Sequence, residues 1–373
     1  MRVALVHDYL SQNGGAEKVL KALTEIWPKA PIFVLFHDQK KITEFSNSQI
    51  NETYLKKLPG IKKYYEWYLP FMPSATERHN LADFDIVISS TSSFAKGIIT
   101  NPETLHICYC HTPPRFLWSG THKYVTDLRC NFLIKGILPG LLHKMRIWDI
   151  LTTNRVDHFI SNSKTVENRI KKYYRRPSDV IHPPVAVDEF YTSQLTRDFF
   201  VAGGRLVPYK RLDLVIKAFN RLGWKLKIFG TGSEEKYLKK IAKPNIEFLG
   251  FVSEKDKAEL LSTARALINP QYEDFGIVSV EAMASGRPVI AYSKGGAVEI
   301  VVENKTGVFF HEQTWESLLN TLLKFDTYAW DKEEIRNHAK KFSTPNFKNQ
   351  IKKFVDDRWE EFDKGLRQVE LIK

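Results

Sequence analysis

Glu273-Asp274-Phe275-Gly276-Ile277-Val278-Ser279-Val280-Glu281, followed by Ala282-Met-Ala-Ser-Gly-Arg-Pro-Val-Ile290, is the stretch whose reading decides the fold. Upstream, Ala266-Leu-Ile-Asn269 is a short apolar run that reads as a buried strand. Gly276 permits a tight turn. Beyond it Ile277, Val280, Met283 and Ala284 recur at helical spacing, so a helix is predicted to start near Gly276. Its unpaired N–H groups and positive dipole end then lie beside Glu273, which makes the turn a site for a phosphate. Glu281, a turn or more further in, faces the same crevice. Two carboxylates around an anion site suit a sugar nucleotide, one for sugar hydroxyls and one for ribose hydroxyls. Alone, such a pair reads more readily as a helix-end charge and a surface Glu. The flanks decide between these readings.

Outward from this stretch, apolar strands alternate with helical patterns. Val3–Val6, Ile32–Phe36, Ile86–Ser89, His106–Tyr109 and His158–Ile160 read as buried parallel strands. Helical patterns lie between them, as at Ala16–Leu23 and Lys164–Tyr174. The alternation restarts with Phe199–Ala202, Leu226–Phe229, Ile246–Leu249, Ala266–Ile268 and Val289–Ala291. This predicts an α/β fold of two doubly wound parallel-sheet units in series. A chain of 373 residues suits two domains. The expected division is 1–192, 193–345 and a terminal helix over 346–373, with the linker inside Val185–Arg197.

The cations of the second unit sit just after its first strand. Arg205 and Lys210, five residues apart on a loop, can grip both phosphates of a nucleotide diphosphate. The Arg fork gives paired hydrogen bonds and Lys a point charge. They would neutralise the leaving group, where negative charge develops. In the first unit, Gly14 and Gly15 follow the first strand and precede a helix, so their N–H groups can approach a ligand closely. They do not form G-x-G-x-x-G, which weighs against a dinucleotide site. His111 stands at the carboxyl end of a strand, where such folds place ligands. Arg115 and Trp118 follow, as candidates to line an acceptor pocket.

These strings resemble the group 1 glycosyltransferases, the retaining family with the GT-B fold. Gly203-Gly-Arg-Leu-Val-Pro-Tyr-Lys210 matches the family's G-R-[LF]-x-x-x-K element, and Phe229-Gly-Thr-Gly232 its strand-then-G-x-G turn. Asn269 through Val289 matches its E-x7-E core. Gly14-Gly15-Ala-Glu17 and His111-Thr-Pro-Pro-Arg-Phe-Leu-Trp118 resemble a subgroup containing bacterial O-antigen mannosyltransferases. The resemblance implies two Rossmann-like domains facing across a crevice, with the terminal helix returning to the first. It implies that His111 contacts the donor sugar, that Glu273 bonds the transferred sugar and that Glu281 holds the ribose. Phe275, Gly276 and Ile277 would supply backbone contacts, and the backbone near Phe251 and Val252 would read the base. The implied activity is retaining transfer of a hexose from a nucleotide diphosphate sugar to a lipid-linked or polysaccharide acceptor. GDP-mannose is favoured as donor, and no metal or other cofactor is required. A GT-B nucleotide-sugar epimerase and a non-catalytic nucleotide-sugar binding protein stay open as other readings.

Composition bounds the rest. The hydrophobic share is 43% and the charged share 26%, ordinary for a globular protein. The net charge is +12, and Lys123 to Arg176 alone carries twelve Lys/Arg against four Asp/Glu. Anionic lipid or phosphorylated substrate are suitable partners. Nucleic acid is disfavoured because no reading motif accompanies the charge. Residues 54–72 interleave lysines with aromatics, and 132–148 are apolar with basic punctuation. Either suits a segment dipping into a bilayer interface, or a core-packing helix with solvated lysines. Of the three cysteines, Cys108 and Cys110 point the same way along a strand and read as reduced core thiols. No signal peptide or transmembrane segment is expected, which suggests a cytoplasmic protein, peripheral on the membrane's inner face.

Overall fold

The structure, a computed structural model, describes residues 1–127 and 132–370. It divides into two compact units, Met1–Pro183 with Phe347–Lys373, and Pro184–Asn346. Residues 184–192 therefore go with the second unit, earlier than the division expected from sequence. The cause is packing: Val185, Val187 and Phe190 are buried in that unit's core beside Phe199, Met283 and Ile335.

In the first unit the strands are β1 (Val3–His7), β2 (Ile32–Val34), β3 (Ile50–Glu52), β4 (Ile86–Thr91), β5 (Leu105–Cys110), β6 (His158–Ser161) and β7 (Asp179–Val180). They form one parallel sheet in the order β3-β2-β1-β4-β5-β6-β7. The central strands are buried on both faces, which is why they read as continuous apolar runs rather than alternating ones. The helix Thr344–Glu370 presents Phe347, Ile351 and Val355, spaced by four, to the core formed by Val3, Leu5, Leu23 and Tyr109.

The second unit holds β8 (Phe200–Gly203), β9 (Leu226–Phe229), β10 (Ile246–Gly250), β11 (Leu267–Asn269), β12 (Val289–Tyr292) and β13 (Gly307–Phe310). Their order is β10-β9-β8-β11-β12-β13, again all parallel. The helix Leu212–Leu222 buries Leu212, Val215, Ile216 and Phe219 against this sheet's core. Each sheet reverses its winding direction once, between β1 and β4 and between β8 and β11. Ligands of open α/β sheets sit outside the carboxyl ends at such points.

Strands β3, β7 and β13 lie outside the alternation read from the sequence. β3 and β7 are edge strands of three and two residues, too short to show a pattern. The two basic, aromatic segments pack on each other. Residues 54–72 form short helical turns, and Phe132–Leu151 is one helix. Leu55, Ile61, Leu69 and Met72 share a buried cluster with Leu138, Leu142 and Met145. Tyr64, Trp67, Phe71, Ile137, Ile147 and Leu151 remain exposed. Each segment is thus partly core and partly surface. No described helix is long and apolar enough to cross a membrane. Cys108 and Cys110 are free and buried, and burial pushes the Cys108 thiol up to about 12. Cys130 lies outside the described residues.

Candidate active site

In the second unit the site is built from loops that leave the carboxyl ends of β8 and β11, the pair flanking the reversal. After β8 the chain runs through Gly204 and Arg205 into the turn Pro208–Lys210. After β11 it runs from Asn269 to Glu273, and the helix Ile277–Ala284 follows Gly276. The two loops meet in an ion pair between Lys210 Nζ and Glu273 Oε1, both mostly buried. Gly276 has φ 110°, a left-handed backbone that resists a side chain. A Cβ there would stand 3.4 Å from Glu273 Oε2, so the glutamate lies against the helix start.

A third loop fixes Glu273. Gly296 N–H donates to the Glu273 carbonyl at 2.9 Å, and a Cβ on Gly296 would collide with Phe275 Cα. Phe275 sends its ring inward, edge-on to Phe342 at 5.5 Å, so what it offers the site is backbone. Ile277 is half-buried at the first helical position. Arg205 is exposed and donates to Tyr209 Oη at 3.3 Å, so it stands at the rim while Lys210 stands inside. Glu281 is almost wholly buried and pairs with Lys257 Nζ at 2.9 Å. Lys257 also reaches Glu254 at 3.0 Å, which makes Glu254–Lys257–Glu281 one network. Phe251 and Val252 follow β10 and line an open groove of about 380 Å³ with Arg197, Lys227, Asp256 and Glu259.

In the first unit, His111 directly follows β5, and its Nε2 lies 2.8 Å from Ser90 Oγ. Gly14 caps the helix Gly15–Ile26, and its N–H donates to Glu17 Oε2 at 2.9 Å. Asp8, after β1, accepts from Thr91 Oγ1 and from the N–H groups of Ser92, Phe94 and Ala95. It ties the loops after β1 and β4 together at the reversal. Arg115 is half-buried. Trp118 is tied inward: its indole N–H donates to Asp149 at 2.8 Å and its ring stacks on Tyr173. Asp149 in turn forms a wholly buried ion pair with Lys96. Among the described residues no three His, Cys, Asp or Glu side chains stand together as a metal site. Asp85, in the Asp83-Phe-Asp85 string, bonds Arg2 N–H at the amino end of β4, away from the carboxyl ends.

The structure thus brings Lys210, Glu273 and Gly276 together in the second unit. It leaves Arg205 at the rim and sets Glu281 deeper, while Phe251 and Val252 line the groove after β10. The residues His111, Gly14, Gly15, Arg115 and Trp118 belong to the first unit. Sequence reasoning missed Lys257, Asp8 and Ser90. The signal for Lys257 is a lysine on the apolar side of its helix, next to Ala258 and one turn before Leu261.

Residues 188–342 match the family of glycosyl transferases group 1, and residues 13–189 match Glycosyltransferase Family 4. Both halves of the chain thus match glycosyltransferase families. An uncharacterized glycosyltransferase of Methanocaldococcus jannaschii is 29% identical over 238 residues, 62% of this chain and 64% of that protein. The chain therefore spans just under two thirds of that relative's length. The alpha-1,3/1,6-mannosyltransferase alg2 of Schizosaccharomyces pombe is 24% identical, covering 82% of this chain and 70% of that one. The crystal structure of Anabaena HepE in complex with UDP-glucose aligns with a TM-score of 0.70 at 18% identity, covering 96% of this chain and all of that one. This last likeness is one of fold.

Proposed function

We propose that the chain is a group 1 glycosyltransferase that transfers a hexose, with retention, from a nucleotide diphosphate sugar to a lipid-linked or polysaccharide acceptor in surface-glycan synthesis. The observation that carries the reading is the meeting of Lys210 and Glu273 at the strand-order reversal, beside the start of the helix Ile277–Ala284. A diphosphate arriving there finds a lysine, a helix N-terminus and, at the rim, Arg205. It displaces Glu273 from Lys210 and frees that carboxylate for the sugar hydroxyls. Glu281, held by Lys257, takes the ribose, and the backbone at Phe251 and Val252 takes the base. His111 orients the sugar. Arg115 and Trp118 stand on the acceptor side. The positive groups neutralise the departing diphosphate, so the reaction runs without a metal. Retention follows from front-face entry of the acceptor, on the side the phosphate leaves.

Mannose from GDP-mannose is the favoured donor, supported by the mannosyltransferase relatives and by the His111–Trp118 string. The exposed rings and lysines of residues 54–72, and exposed Ile137, Lys144 and Ile147 within 132–148, support peripheral contact with an anionic membrane. The test is incubation with a panel of nucleotide sugars, with EDTA present and with or without a lipid-linked acceptor. Release of nucleotide diphosphate that requires acceptor and survives EDTA is expected. Interconversion of the sugar nucleotides, or binding with no release, would contradict the transferase reading. Competition of GDP against UDP decides the base, and UDP binding about tenfold tighter than GDP would overturn guanine.

A further inference from the structure

A buried chain of polar side chains lies behind His111. His7, the last residue of β1, is 4% exposed. Its Nδ1 lies 3.2 Å from Ser90 Oγ on β4, and the same oxygen lies 2.8 Å from His111 Nε2. At the other end of the His7 ring, Nε2 lies 3.9 Å from Glu17 Oε1 in the first turn of the helix Gly15–Ile26. The second oxygen of Glu17 accepts from Gly14 N–H. The chain runs from the Gly14-Gly15 turn through Glu17, His7 and Ser90 to His111.

Donor counts at the shared Ser90 hydroxyl relate the protons on the two rings. A charged imidazole has two N–H donors and no acceptor, and a serine hydroxyl has one proton. Charged His7 points its Nε2–H at Glu17 and donates its Nδ1–H to Ser90 Oγ. Ser90 then gives its own proton to His111 Nε2, and neutral His111 carries its proton on Nδ1. Neutral His7 keeps its proton on Nε2, because that nitrogen faces a carboxylate. Its Nδ1 then accepts from Ser90, and Ser90 accepts from His111 Nε2–H. The proton on His111 has moved from one nitrogen to the other.

We propose that Glu17, His7 and Ser90 are positioning residues that set the tautomer of His111 through the charge on His7. Among the described residues, the groups that face the His7 ring are Glu17 from its helix, Ser90 from β4 and Asp8 next along the chain. Burial works against the charged ring, but Glu17, Asp8 and Ser90 outweigh it and hold His7 above its ordinary pKa. Asp8 is fixed in turn by its four hydrogen bonds from the β4 loop. The catalytic consequence rests on the reading of His111 as a contact to the donor sugar; the tautomer coupling does not.

Nitrogen-15 NMR of the histidine rings, from about pH 5.5 to about pH 9, reads the coupling directly. In the wild-type chain His111 Nε2 should pass from unprotonated to protonated as His7 loses its charge. His7→Asn keeps a partner for Ser90 but cannot titrate, and should hold His111 in a single tautomer throughout. Ser90→Ala should uncouple the two rings and lower kcat about tenfold, with the donor KM within about twofold. A His111 tautomer that ignores the His7 titration, or that follows it unchanged in Ser90→Ala, overturns the proposal. If the coupling appears but no sugar is transferred, the coupling stands and the transferase reading fails. If transfer is robust and the coupling absent, the reverse holds.

Discussion

Lys210 and Glu273 neutralise each other at the one place in the second unit where two loops leave the sheet in opposite winding directions. A lysine spent on a glutamate gives little by itself. In the proposed function its value lies in exchanging that partner for a phosphate as the glycosidic bond breaks. Lys210→Ala and Arg205→Ala should each lower turnover at saturating donor by at least about 100-fold, roughly 3 kcal/mol of lost transition-state contact, with the melting temperature little changed. Steady-state kinetics check this, and near wild-type rates would remove the phosphate role. Lys257 is different, because its partner is buried. Lys257→Met strands the Glu281 carboxylate and should cost about 3 kcal/mol of stability. The double variant Lys257→Met/Glu281→Gln should recover most of that loss in denaturant unfolding. Equal instability of single and double variants would contradict the pairing. The helix start at Gly276 with Glu273 beside it was legible in the sequence because the spacing and flanks are local. Lys257 was not, since a lysine's burial depends on a partner twenty-four residues away.

At the scale of elements, the central strands were legible because both faces are covered, which leaves unbroken apolar runs such as Val3–Val6 and Val289–Ala291. The edge strand Ile50–Glu52 carries no such pattern, since only a neighbour's hydrogen bonds make it a strand. Within β5, His106 breaks the apolar run. It is wholly buried between Ser89 Oγ and the Arg155 carbonyl, each at 2.8 Å, and burial pushes it down to about 4. His79 is likewise pushed down to about 4 by burial. Unfolded histidines titrate near 6.5, so between about pH 6.5 and about 4 the unfolded chain binds more protons than the folded one. The contribution of these two residues is full above the unfolded pKa and is lost as the pH falls toward 4. Stability by urea unfolding should fall over that window, and His79→Gln should flatten the fall. An unchanged slope in the variant would contradict the assignment for His79. The paired segments 54–72 and 132–148 showed their mixed character in sequence, and packing explains it: some side chains share a buried cluster while others face solvent. Replacing Lys56, Lys57, Lys62 and Lys63 by Glu should abolish salt-sensitive co-sedimentation with anionic vesicles. Undiminished binding would move the contact to 132–148 or remove it.

Across the whole molecule, the chain uses one plan twice: a parallel sheet, one reversal of winding, and polar loops at the carboxyl ends beside it. Asp8 ties the loops at the first reversal, and the Lys210–Glu273 pair ties those at the second. The repetition was visible in the alternation of strand and helix patterns, but the linker was not well placed by it. Val185, Val187 and Phe190 look like linker residues in a Pro-containing stretch, and only their burial beside Met283 and Ile335 assigns them to the second unit. The base and the acceptor stayed illegible because a few hydrogen bonds of about 1 kcal/mol each decide them. The central claim is that Lys210 and its surroundings hold a nucleotide diphosphate sugar. Thermal unfolding of the wild-type chain and of Lys210→Ala, with GDP-mannose titrated in, tests it most directly. Binding to the folded state raises the wild-type stability by about 2.7 kcal/mol at 100 times Kd, and Lys210→Ala should show little of that rise at the same concentration. A wild-type melting temperature that no nucleotide diphosphate sugar moves, or an equal rise in Lys210→Ala, would contradict the account.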